Sequence, residues 1–448
     1  MRDRRLVLVF ALIFTLGPLV VAQEGGGQGE APSGGSLSDG PGSGARGPGS
    51  EAGQSGVLAG IDGSVSANFK SLFYLLYDAD YQEGTSGIAS NAVRLEGSLY
   101  PAEWLAFEAA YRLFPEVRSP SLAAGATTSP ISPGGAYRVI DVREQAFPPE
   151  SADADNAAVY QDLDRLFATV SVPFADIYLG RQAISWGAAR VVRPTDVIVP
   201  FSFTAVDTEY RPGVDALRLR VPVGGFNEID SGAIFGEDFE PEKSAYYLRP
   251  SFYLWDTDIS LVGMLFRENL LTGFSASRAI GEAGAWFEAA YVVPDLVNVP
   301  ADPYAEDYLS LSVGADRNLA ADVYGYLEYH FNSAGTIETG DYLSSATGPA
   351  YSEGNVYLLG QHYLAAGGTY TAAPLLPIDA LVVVNLTDGS GEITVSADYN
   401  FKENVYIGGG MLLGIGPEPE TLGGVPVEYA SEFGAYPQVF YTQVRMYF

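Results

Sequence analysis

The chain has no cysteine, which excludes disulfide frameworks, thiolate metal centres and a lipid anchor on a cysteine. Only two histidines occur, His330 and His362, and only three lysines, Lys70, Lys243 and Lys402. The 24 basic residues face 55 acidic ones, a formal charge of −31 that would repel nucleic-acid phosphates. Long apolar runs are missing beyond the N-terminus, so no helix of the mature chain is expected to cross a membrane. A membrane-embedded form would have to be a closed β-barrel, because lipid leaves no backbone polar group solvated.

The N-terminus reads as a signal peptide over residues 1–22. Arg2, Arg4 and Arg5 precede the apolar run Leu6 to Leu16, and Val20-Val21-Ala22 suits cleavage before Gln23. That run is short for a transmembrane helix, which needs about 20 residues. Residues 23–57 are rich in Gly, Ser, Pro, Gln and Glu and offer too little apolar surface to offset ordering entropy, so they read as a disordered leader. Residues 58–448 form one structural unit.

Within that unit, segments of about 9–11 residues alternate apolar and polar side chains, the period and length of tilted membrane strands. Ser64, Ser66, Asn68 and Lys70 alternate with Val65, Ala67 and Phe69; Tyr324, Tyr326, Glu328 and His330 alternate with Gly325, Leu327, Tyr329 and Phe331. Eighteen such strands are expected, near 60–70, 91–100, 104–113, 163–172, 176–186, 213–221, 226–236, 245–254, 259–267, 270–278, 284–293, 307–316, 322–331, 359–371, 378–387, 392–400, 404–414 and 437–448. Counts of 16 or 14 are the alternatives. Tight links such as 101–103, 173–175 and 255–258 interleave with longer ones at 114–162, 187–212, 332–358 and 415–434. Short turns on one side and long loops on the other distinguish a membrane barrel from a soluble sandwich. The expected fold is all-β, a transmembrane antiparallel barrel too wide for side chains to fill, with an infolded loop.

The chain ends Q-V-F-Y-T-Q-V-R-M-Y-F. Phe440, Thr442, Val444, Met446 and Phe448 share one face, while Gln443 and Arg445 lie on the other. This resembles the C-terminal insertion signal of bacterial outer-membrane barrels, with Phe440, Val444, Met446 and Phe448 as its apolar positions. The resemblance implies a bacterial outer-membrane location, surrounding lipid and delivery by the barrel assembly machinery.

Residues 180–220 stand apart. They hold Arg181, Arg190, Arg193, Arg211, Arg218 and Arg220, opposed by Asp196, Asp207, Glu209 and Asp215, and the apolar run Val197 to Phe203. The spacing predicts that 187–212 folds into the lumen, with Arg218 and Arg220 pointing inward. Arg181 shares parity with Ile177 and Leu179, so either a bulge near Gly180 turns it inward or it lies above the bilayer. A guanidinium at the bilayer midplane costs a few kcal/mol, which favours the bulge. Arg181, Arg190, Arg193, Arg211, Asp215, Arg218 and Arg220 are the candidate constriction, able either to attract acidic solutes or to brace the infolded segment. Trp186 reads as an aromatic-belt residue or a stacking surface.

The elements Gly180-Arg181-Gln182, Trp186-Gly187, Pro194-Thr195-Asp196 and Arg211 to Arg218 resemble the alginate-export porin family and related large barrels. The resemblance covers about 40 residues. It implies an 18-stranded porin with an arginine-rich pore. The lumen-facing acids Glu96, Glu108, Glu288, Glu328 and Asp398 depart from a pore for an acidic polysaccharide.

Catalysis is not expected: no G-x-S-x-G or His-x-x-x-His motif occurs, and nothing around His330 or His362 suggests an acid–base site. Neither cofactor nor metal is expected. The acidic group Asp153, Asp155, Asp162 and Asp164 is the one candidate for calcium. The expected function is a porin-like channel for diffusion or export of hydrophilic, in one reading anionic, solutes. The alternatives are a transporter of hydrophobic compounds, with Val197 to Phe203 lining its pocket, and a plugged surface or assembly barrel.

Overall fold

The computed structural model describes residues 54–58, 61–77, 85–119, 137–142, 145–148, 156–201, 204–296, 306–352, 356–422 and 425–448. The signal peptide, nearly all of the leader, Asp153, Asp155 and residues 202–203 lie outside the described residues. The short strand β1 (Gln54–Leu58) falls in the expected leader and pairs with the start of β2 (Ile61–Tyr77).

From β2 the chain runs through β3 (Thr85–Ala102), β4 (Leu105–Arg118), the short β5 (Gln145–Phe147), β6 (Ala157–Val172), β7 (Ala175–Gln182), β8 (Val214–Pro222) and β9 (Glu228–Phe235). It continues through β10 (Ala245–Leu254), β11 (Thr257–Phe266), β12 (Asn269–Ile280), β13 (Ala283–Val293), β14 (Tyr308–Ala320), β15 (Val323–Asn332) and β16 (His362–Ala373). It ends with β17 (Leu376–Asn385), β18 (Gly391–Lys402), β19 (Val405–Ile415), the small hairpin β20 (Glu420–Leu422) and β21 (Val425–Glu428), and β22 (Gln438–Tyr447).

Each wall strand pairs antiparallel with its sequence neighbours, and β22 closes the sheet by pairing with both β19 and β2. The result is a closed barrel of 18 strands. The expected strands all form. The strands that most exceed expectation are β2, β3 and β6, whose full lengths are 17, 18 and 16 residues, whereas β7 stops at Gln182, before the expected 186, because the chain turns inward there.

Every second strand boundary is a short turn, of two residues at 103–104, 173–174, 255–256, 281–282, 321–322, 374–375 and 403–404 and of five at 223–227. Trp255 and Asp256 take φ of 53° and 57°, the left-handed pair whose twist matches a two-residue hairpin. Both ends of the barrel chain lie on this short-turn side.

Alternation sorts the wall. Leu95, Leu166, Leu179, Leu217, Leu261, Phe274, Leu327 and Phe440 are exposed on the outer face. Their strand neighbours point inward and meet charged partners or the infolded segment. On β22, Phe440 and Phe448 lie outside while Arg445 and Tyr447 turn in, as the C-terminal pattern requires. At Gly410 an added Cβ would lie 2.8 Å from the Tyr441 ring, so the glycine run of β19 lets that tyrosine lie across the inner wall.

Candidate pore constriction

The segment between β7 and β8 leaves the wall and crosses the lumen. Its outgoing arm is held by two inward carboxylates midway along the opposite wall. Glu288 of β13, with no exposed surface, accepts bonds from Ala188 N (2.7 Å), Ala189 N (2.9 Å), Thr195 N (2.9 Å) and Thr195 Oγ1 (2.7 Å). Glu328 of β15 accepts from Arg190 N (2.7 Å), Val192 N (3.0 Å), Val191 N and the Trp286 indole (2.9 Å). The Ser312 hydroxyl of β14 donates to the Val192 carbonyl at 2.7 Å. A loop backbone without secondary structure would bury unpaired N–H groups, and these two side chains supply the missing acceptors.

The returning arm is tied elsewhere on the wall. Lys70 of β2 bonds Asp207 and Glu209, both at 2.7 Å, and Tyr447 of β22 donates to Glu209 at 2.7 Å. Asn68 donates to the Tyr210 hydroxyl at 2.9 Å, and the Arg94 guanidinium lies 4.1 Å from the Tyr210 ring centre. Asp207 is half-buried, and the loss of water alone would raise its pKa, yet the Lys70 ammonium outweighs that and holds it below the usual range.

Apolar contacts complete the anchoring. Ile184, Trp186, Val197 and Ile198 are buried with Val214, Ile234, Met264, Phe266 and Leu271 of the wall. Trp186 is therefore neither a belt residue nor an open stacking surface. It lies inside the lumen, its indole donating to Thr195 O at 2.8 Å and its ring 4.8 Å from Tyr247.

The candidate arginines divide sharply. Arg218 is bidentate to Asp230 (2.9 and 2.6 Å), and Arg220 bonds Glu228 (2.6 Å); both point inward as expected. Arg211 pairs with Asp196 at 2.8 Å within the infolded segment. Asp196 itself is pushed above the usual carboxylate range by complete burial, which that guanidinium offsets only in part. Arg190 is partly exposed, lies 5.2 Å from the Trp286 ring centre and pairs with Asp316. Arg193 is exposed; its Nε donates to the Ala189 carbonyl at 3.0 Å, and it makes no ion pair among the described residues.

Arg181 corrects an expectation. The β6–β7 register runs without a shift through Gly180, so no bulge lies there. Instead Gly180 takes φ of 119°, and an added Cβ would stand 2.3 Å from the Leu166 carbonyl oxygen. Arg181 follows at the long-loop end of β7, buried beneath residues 137–142. It bonds Asp215 (2.8 and 2.9 Å), Asp141 (2.8 Å) and the carbonyls of Leu163 and Ile140. The register shift falls on β6 opposite Ala110 and Tyr111, where Asp164 and Arg165 lie.

Other expected residues are placed as follows. Asp162 pairs with Arg112 and Arg138, and Asp164 with Arg94 and Arg165. Their oxygens are committed to guanidiniums, and no group of three or more potential ligands for a metal occurs among the described residues. His330 and His362 lie on adjacent strands but on opposite faces, since His362 pairs in register with Phe331. His330 is buried, 2.9 Å from Ser312 Oγ, whereas His362 accompanies Tyr329 at 2.7 Å. Glu288 and Glu328 were visible only as inward acids; nothing local marked them as anchors.

No family model matches the chain, and no curated protein matches it. The resemblance of the 180–218 segment to alginate-export porins thus gains no support from those comparisons. Solved structures do match in fold. OpdK, an outer-membrane protein of Pseudomonas aeruginosa, aligns with TM-score 0.52 and 10% identity over 88% of this chain and all of that one. Acinetobacter baumannii OccAB4 aligns with TM-score 0.51 and 11% identity over 86% and 97% of the two chains. OccAB2 of the same organism gives TM-score 0.51 and 9% identity over 86% and 98%. The architecture is that of the large outer-membrane porin barrels.

Proposed function

We propose that this chain is a bacterial outer-membrane channel for passive diffusion of small hydrophilic solutes, with the segment between β7 and β8 as its constriction. The observation that carries this reading is a segment anchored on several sides across the lumen of an 18-stranded barrel whose inner wall is charged and hydroxylated. The apolar outer face would meet lipid, and the C-terminal strand would serve delivery by the assembly machinery. A solved OpdK structure contains vanillate, a small carboxylate, which shows what one barrel of this fold accommodates.

The anion preference expected from the arginines has a narrow basis. Arg181, Arg211, Arg218 and Arg220 are neutralised by carboxylates and act as braces; Arg190 is paired but partly exposed. Among the described residues of the segment, Arg193 is the exposed guanidinium that makes no ion pair. For a hydrophobic solute, Val197 and Ile198 are already buried against the wall, and the cavity beside Val197, Val292, Tyr308 and Val356 holds about 40 Å³, room for a water or two. His330 is buried and Ser312 is spent on a loop carbonyl, so we propose transport rather than catalysis.

Refolded protein in a planar bilayer tests the reading. Discrete conductance steps are expected. Their absence from protein shown to be folded would replace the channel with the plugged-barrel alternative.

A further inference from the structure

The pairing of lumen charges leaves a remainder in which carboxylates outnumber cations. Resting on the channel reading above, we infer that the pore prefers cations, and that Asp176, Asp258 and Asp379 near the short-turn mouth set this preference.

The inward cations are largely consumed. Lys70 is shared by Asp207 and Glu209, and Arg94 by Glu96 and Asp164. The inward carboxylates are not consumed to the same degree. Asp176 stands just after the turn into β7, Asp258 just after the turn into β11, and Asp379 near the start of β17. Each has the parity of wall residues that face inward: Asp176 pairs in register with Arg220, Asp258 shares its face with buried Val262 and Met264, and Asp379 with buried Val383 and Asn385. None of the three makes an ion pair among the described residues; Asp379 accepts only the Thr369 hydroxyl, at 2.5 Å. Asp258 and Asp379 are exposed.

These residues stand on separate strands and do not converge as ligands for one ion. They act through the field. Within a low-dielectric wall, unpaired charges of one sign raise the local concentration of the opposite ion. Against this stand Arg193, the exposed cation of the infolded segment that makes no ion pair among the described residues, and Arg249 of β10, whose inward guanidinium donates to the Ser260 hydroxyl at 3.0 Å. The Debye length is about 10 Å at 0.1 M salt and about 3 Å at 1 M, so the preference should be large in dilute salt and fade at molar salt.

The test is the reversal potential of the refolded chain under a KCl gradient. Cation-favouring steps are expected, with a permeability ratio of several-fold in dilute salt. The triple variant Asp176→Asn, Asp258→Asn, Asp379→Asn should bring the ratio towards unity while discrete steps persist, and Arg193→Gln should raise it. Heat-modifiable gel migration checks that each variant is folded. Steps that are unselective or favour anions in the wild-type chain overturn the inference and leave the channel standing. An unchanged ratio in the folded triple variant also overturns the assignment to these residues. No steps from folded wild-type protein would defeat the channel reading itself.

Discussion

Removing the two glutamate anchors should release the constriction without unfolding the barrel. In Glu288→Ala, the amides of Ala188, Ala189 and Thr195 and the Thr195 hydroxyl lose their acceptor together. Each buried donor left unsatisfied costs about 1–3 kcal/mol. Water entering the lumen would recover part of that, so a loss of about 3–6 kcal/mol falls on the attachment of the segment. Glu328→Ala removes the acceptor of Arg190, Val191, Val192 and the Trp286 indole, and in the double variant the segment's outgoing arm is held mainly by apolar packing and by Ser312. The wall ladders are untouched, so the heat-modifiable band and the strand signal in circular dichroism should persist. Single-channel recording should show larger or noisier steps for each variant and the largest for the double. Limited proteolysis should cut within 187–212 faster than in the wild type. Unchanged conductance and unchanged cleavage in the folded double variant would refute the assignment of these carboxylates as anchors.

Arg218→Ala should lower barrel stability by about 3–5 kcal/mol, because it strands the buried Asp230 carboxylate beside Tyr247; the urea midpoint of refolded protein measures this. Gly180→Val should sharply reduce the folded fraction, since φ of 119° and a contact of 2.3 Å to Leu166 O leave no room for a side chain; heat-modifiable migration gives the fraction. In the loop before β22, burial, helped by the charge of Asp388, pushes the Glu432 carboxyl up to about 7 from its ordinary 4.5. A raised carboxyl pKa makes the folded state hold the proton more tightly, so the tie among Leu359, Tyr363, Asn385 and Glu432 weakens as pH rises from about 4.5 towards 7. Hydrogen exchange in 356–361 and 431–436 should therefore quicken over that range, and Glu432→Gln should flatten the dependence.

How much of this was legible beforehand depends on the range of the interaction. Strand number, barrel class and the orientation of β22 follow from a period of two, which each segment carries by itself. The infolding of 187–212 was legible because Val197 and its apolar neighbours could not remain in water, and because the arginines there contrast with an acidic chain. Which arginines are free was not legible. Arg190 meets Asp316, and Lys70 meets Asp207, only when the sheet closes and the segment crosses it. The same closure sends Trp186 into the lumen, sets His330 and His362 on opposite faces and turns Glu288 and Glu328 into anchors. Local alternation determines which way a side chain points; the barrel and its crossing segment decide what it finds there, because those partners lie far apart in the chain and share a face only once the ring is complete.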